Sequence, residues 1–150
     1  MYLELQKMNK YLTAKQAEKL KLLGFDDPVI GHRYTSSYYA GNVRTCGEQQ
    51  NWNRFTVFVS APTVDEAIDW LRRKFNVHIY AAVEPFVDPV DKKSPTLYRY
   101  AVKYCNHRDG WNGRSYIGQT RLAKNVYSLK RQAITLAINW LNKRNKTLSK

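Results

Sequence analysis

The chain has 150 residues, 43% of them hydrophobic and 13% aromatic, so it fits one globular domain with a real core and is not a disordered basic tail. Its net charge of +13 is lopsided: residues 1–95 hold 13 Lys/Arg against 11 Asp/Glu, while residues 96–150 hold 12 against Asp109 alone. No apolar run approaches the ~20 residues of a membrane span, and the first ten residues, interrupted by Glu4, do not read as a secretory signal.

The first helix is expected from Thr13, with Gln16 three residues on as its capping-box partner and Gly24 as the stop. Ala14, Ala17, Leu20 and Leu23 trace its apolar face. Period-two patterns then predict strands over 34–43 and 54–60, the latter with Phe55, Val57 and Val59 on one face. A second helix follows Pro62, capped by Thr63 and Glu66, with Val64, Ala67, Ile68, Leu71 and Phe75 at helical spacing. Residues 77–83 read as a strand. A loop punctuated by Pro85, Pro89 and Pro95 comes next, followed by a strand over 97–105.

In that strand, alternation separates Tyr98, Tyr100, Val102 and Tyr104 from Arg99 and Lys103, which share a face with Leu97, Ala101 and Cys105. The tyrosine row is either the core face beneath a helix or a platform on which bases stack. Asp109-Gly110 and Asn112-Gly113 mark a turn, and 114–119 should return antiparallel. A third helix begins near Ser128, with Leu129, Ala133, Leu136, Ala137, Trp140 and Leu141 buried. Its early cations Lys130 and Arg131 oppose the helix dipole, a local cost expected where a binding surface is wanted. Residues 142–150 form a basic end to this helix, a candidate frayed tail. The whole predicts a single α+β domain in the order α-β-β-α-β-β-β-α, a mostly antiparallel sheet of about five strands covered by three helices. Ala67-Ile68-Asp69-Trp70-Leu71 echoes Ala137-Ile138-Asn139-Trp140-Leu141, as two amphipathic helices packing on one sheet can do without duplication.

Tyr116-Ile117-Gly118-Gln119-Thr120 resembles the second half of the GIY-YIG nuclease motif. In that family the tyrosines assist an attacking water, and a downstream glutamate holds the metal. Tyr98-Arg99-Tyr100 stands where the first half belongs, and no carboxylate side chain follows Asp109. Metal-assisted cleavage therefore fails for want of a ligand. His32, His78 and His107 have no zinc-ligand spacing, and no phosphate-binding glycine loop or nucleophile elbow is present. No enzyme, cofactor or metal site is expected. Cys46 and Cys105 lie far apart and read as free thiols or one disulfide, the former suiting a cytoplasmic protein.

The order helix–strand–strand–strand–helix over 63–141 resembles the double-stranded RNA-binding domain, and Lys130, Arg131, Ala133, Ala137 and Leu141 fall at the spacing of that family's basic terminal helix. The resemblance implies that Lys130 and Arg131 contact phosphates. Ser94-Pro95-Thr96 stands where the family's glycine-proline-x-histidine loop belongs, without the histidine. Leu23-Gly24-Phe25 and Ala61-Pro62-Thr63 also make the chain similar to small α+β proteins of gut anaerobes and their phages, a likeness that implies a fold and no activity.

The functional expectation is a non-enzymatic basic module that binds nucleic acid, RNA or DNA, through phosphates. The expected surface is Arg99, Lys103, Arg108, Arg114, Arg121, Lys124, Lys130 and Arg131, with Trp111 at a hairpin tip for stacking. Five neutralised phosphates would give a slope of log K against log salt near roughly −4 on a duplex. A basic face that docks on an acidic host protein is the alternative.

Overall fold

The structure is a computed structural model that describes residues 10–35, 42–45, 47–82, 97–105 and 114–148. Its element order is α1 (Ala14–Leu22), β1 (His32–Tyr34), a 3-10 turn (Trp52–Arg54), β2 (Phe58–Ser60), α2 (Val64–Phe75), β3 (Val77–Ala81), β4 (Tyr100–Cys105), β5 (Arg114–Gln119) and α3 (Val126–Leu148). The class is α+β in the expected order. Among the described residues the five strands form two sheets, however: β1 pairs with β2 and makes one further bridge from His32 to Arg44, and β3, β4 and β5 form an antiparallel meander. The chain divides into two compact units at Trp70/Leu71, within α2.

In the first unit, α1 forms because its ends are satisfied locally. The Thr13 hydroxyl accepts from the Gln16 amide at 3.2 Å, and the Gln16 side chain accepts from the Thr13 amide at 3.3 Å. At the other end Gly24 takes φ +95°, letting its amide reach the Lys21 carbonyl and the Phe25 amide reach that of Leu20. β1 and β2 run antiparallel with Arg33 opposite Val59. Their aromatic residues stack together: His32 lies parallel to Trp52 at 3.8 Å between centroids, and Phe58 meets both rings edge-on at 5.2 Å. The Trp52 indole donates to the Val29 carbonyl at 2.8 Å. Trp70 is buried against Phe25 and donates to Asp26.

Two strand expectations need correction here. The strand over 34–43 is only His32–Tyr34, with 36–41 outside the described residues. The strand over 54–60 begins only at Phe58, because the Asn51 side chain accepts from the Asn53 amide and winds Trp52–Arg54 into a 3-10 turn. Phe55 and Val57 are consequently exposed, and Val59 alone of that trio is buried.

α2 is held at its start by the Thr63–Glu66 pair in both directions. It ends at Asn76, whose φ of +55° is a conformation asparagine tolerates, and β3 follows at once. In the second unit α3 starts at Val126, two residues before Ser128, because the Asn125 side chain accepts from the Ser128 amide at 3.1 Å. It continues to Leu148, so residues 142–148 are helical. Leu129, Ala133, Ile134, Ala137, Ile138 and Leu141 are its buried stripe. Among the described residues, no helix is long and apolar enough to cross a membrane.

A candidate nucleic-acid interface

The site begins with the register of β3, β4 and β5. Across β3 and β4, Val77, His78, Ile79, Tyr80 and Ala81 stand opposite Tyr104, Lys103, Val102, Ala101 and Tyr100. Residues directly opposite one another share a face of the sheet. One face therefore carries Val77, Ile79, Tyr100, Val102 and Tyr104, and the other His78, Tyr80, Ala101, Lys103 and Cys105.

α3 covers the first face. Val77 and Val102 are fully buried and Tyr100 is nearly so. The Tyr104 and Trp140 rings lie 5.0 Å apart, with the Arg144 guanidinium over both, at 4.3 and 5.2 Å. A side-chain carbon placed on Gly118 would touch Leu136 of the helix at 3.5 Å. Tyr100 is thus a core residue and the half-buried Tyr104 packs on Trp140 of the helix, so the tyrosine row of β4 is a helix-packing face and not a stacking platform. Its strand also starts at Tyr100 instead of Leu97, although Tyr98 still forms a bridge with Ala123.

The opposite face is mixed and partly open, with Ala101 buried and His78, Lys103 and Cys105 half-buried. Tyr116 is 58% exposed and Tyr80 is 38% exposed. Lys103 lies in one cross-strand row with His78 and Tyr116, and its ammonium sits 5.4 Å from the centre of the Tyr80 ring. Tyr116 reaches this face through a slip in register. Gly118 pairs with Val102, and strict alternation would then bring Ile117 opposite Lys103 and send Tyr116 beneath the helix. Instead β5 carries one extra residue there and Tyr116 pairs with Lys103. A bulge re-aims a side chain in this way.

The expected cations separate into groups. Lys103 is on the open sheet face. Arg99 shares its parity in the chain and is half-buried, its Nε enclosed without a hydrogen-bond partner among the described residues. Arg114 pairs through its backbone with Cys105 at the start of β5. Arg121 and Lys124 are exposed in the connection from β5 to α3. Lys130 and Arg131 ride on α3, across the sheet from Lys103, and both are half-buried. Lys130 falls in line with the buried stripe, three and four residues before Ala133 and Ile134, and its ammonium lies 5.8 Å from the Tyr127 ring centre. Burial holds the Arg131 guanidinium below its ordinary pKa. Because α3 starts at Val126, both residues fall in its second turn, where repulsion from the helix N-terminus is weaker than a start at Ser128 implied. Arg108 and Trp111 lie outside the described residues.

Sequence reasoning did not place Tyr80 or Tyr116 on this face, and Tyr116 entered only as a residue of the nuclease-like motif. The alternation of 77–81 pairs His78 with Tyr80 and was available as a signal, but the position of Tyr116 depends on a register slip that no local pattern announces. The motif residue Thr120 is structural: it is buried, and its hydroxyl accepts from the Tyr100 amide at 3.0 Å. Cys105 is a free, half-buried thiol, and Cys46 lies outside the described residues. Among the described residues, no three His, Cys, Asp or Glu side chains gather where they could hold a metal ion. No protein-family model, curated protein or solved structure matches the chain.

Proposed function

We propose that the protein is a non-enzymatic nucleic-acid-binding module that engages phosphates through the cations of its last 55 residues. The observation that carries this reading is that two cations of that segment lie beside exposed rings, Lys103 near Tyr80 and Lys130 near Tyr127. Tyr80 and Tyr127 are both solvent-exposed. A surface offering a π face beside a positive charge complements a nucleotide, which presents a base face beside a phosphate. A carboxylate-rich protein face needs only the charge. Nucleic acid is therefore the better complement, and an acidic protein the poorer one.

Affinity should fall as salt rises, by about 0.9 in log K per decade for each phosphate neutralised on a duplex and about 0.7 on a single strand. Fluorescence anisotropy with a labelled oligonucleotide at two salt concentrations measures this. Affinity indifferent to salt overturns the phosphate reading. Capture of partners from a lysate before and after nuclease treatment separates the alternatives: a partner that survives the nuclease is a protein, and its loss supports nucleic acid.

A further inference from the structure

The exposed face of the β3-β4-β5 sheet has a spacing with a consequence for what it can hold. Tyr80 belongs to β3 and Tyr116 to β5, with β4 between them. Tyr80 is level with Ala101, and Tyr116 is level with Lys103, two residues further along β4. With strands about 4.8 Å apart and a rise of about 3.4 Å per residue, the two Cα atoms are separated by roughly 12 Å on a diagonal. Lys103 lies between the two tyrosines on the same face, its ammonium beside the Tyr80 ring.

From this spacing we infer that the face binds single-stranded nucleic acid, with Tyr80 and Tyr116 each stacking one unpaired base and Lys103 meeting the phosphodiester between them. The inference rests on the nucleic-acid reading above and narrows it. Stacked neighbours in a duplex rise only about 3.4 Å apart along each strand, and their faces are covered by one another. Two rings roughly 12 Å apart on a sheet can each reach a base face only if those bases are unstacked and splayed, the state of a single strand and not of a duplex. The register slip at Val102/Lys103 supports the same assignment, because it turns a tyrosine outward where regular pairing would bury it beneath α3. An exposed tyrosine obtained by breaking the ladder gives the sheet no packing in return. The sequence charge of the segment supplies complementarity to the phosphates.

The test is anisotropy titration of the full chain with a labelled dT20 strand and with the matched 20-base-pair dA·dT duplex, at one fixed low salt concentration. The single strand should bind more tightly. Tyr116→Ala and Tyr80→Ala should each weaken dT20 binding about 5- to 150-fold, the range for loss of one base stack, and leave the duplex unchanged. Tyr116→Phe keeps the ring and should keep most of the affinity. Tyr116 is largely exposed, so its removal is not expected to unfold the domain, and unchanged circular dichroism checks this. Duplex binding as tight as dT20, with both alanine variants like wild type, overturns the single-strand inference while leaving phosphate binding in place. No binding to either probe overturns the phosphate reading itself. An equal loss, in which Tyr116→Phe is as weak as Tyr116→Ala, refutes stacking as the role of that ring.

Discussion

Replacing Arg33 by methionine should leave the protein as stable as before or make it more stable. Arg33 is 6% exposed in the middle of β1. Its Nη2 donates to the Leu12 carbonyl at 2.7 Å, while Nε and Nη1 have no hydrogen-bond partner among the described residues. Burial also lowers its pKa from the ordinary arginine value. A base whose pKa falls on folding destabilises the fold while it is charged, and arginine is charged at any working pH. The one charge-assisted bond contributes about 1.5–3 kcal/mol, against an effective desolvation penalty of several kcal/mol for a buried ion. Methionine keeps the unbranched stem and discards the charge, at the loss of that bond. The expected net change is a gain of about 0–2 kcal/mol, since the desolvation penalty of the buried charge exceeds the one bond that is lost. On a chain of this size a gain of 2 kcal/mol would raise Tm by roughly 4–8 °C. Arg33→Ala should instead lose about 2–4 kcal/mol, because it leaves a cavity. Urea and thermal unfolding of both variants measure these changes. If Arg33→Met loses more than about 2 kcal/mol, the two unused donors have a partner in solution and the buried guanidinium stabilises the fold.

Two glycines should respond in opposite directions. Gly24→Ala forces an L side chain to φ +95° with open space around it, so strain alone should destabilise by about 1–2 kcal/mol. Gly118→Ala meets Leu136 at an ordinary van der Waals distance and should be neutral or stabilising by about 0.4–1 kcal/mol, read from the urea midpoint. Thr63→Ala removes the hydroxyl that accepts from the Glu66 amide and should cost about 0.5–2 kcal/mol, measured by the loss of helical circular dichroism on heating.

What could be read from the chain was local, and what could not was set by contacts between distant residues. The Thr13–Gln16 and Thr63–Glu66 boxes and the Gly24 stop were legible because each group finds its partner within a turn or so of the helix end. The alternation of β4 was legible for the same reason. Phe55 and Val57 looked like strand residues, yet Asn51 winds the preceding residues into a turn whose Trp52 is anchored on Val29, 23 residues earlier. Period two cannot report such an anchor. The division of five strands into two sheets is likewise a matter of which strands pair, and pairing is not written in any one of them. At the site, Lys103 was legible as the outward cation of its strand. The rings beside it come from other strands, one of them through a register slip.

β4 also decides how the late charge can be used. Its tyrosines lie beneath α3, so any base-stacking rings on this sheet must come from the neighbouring strands, which supply Tyr80 and Tyr116 around Lys103. The same helix carries Lys130 and Arg131 to the other side of the sheet from Lys103, and Arg144 packs there over Tyr104 and Trp140. A net charge of +11 over residues 96–150 therefore overstates the field that any one ligand strand meets. Salt dependence can divide that charge. A single strand held on the sheet face by Lys103 and one further cation neutralises about two phosphates, giving a slope of about −1.4, whereas a duplex meeting five cations would give about −4.5. The smaller slope with the tighter strand is the combination that a stacking face produces, because the rings contribute affinity that salt does not screen.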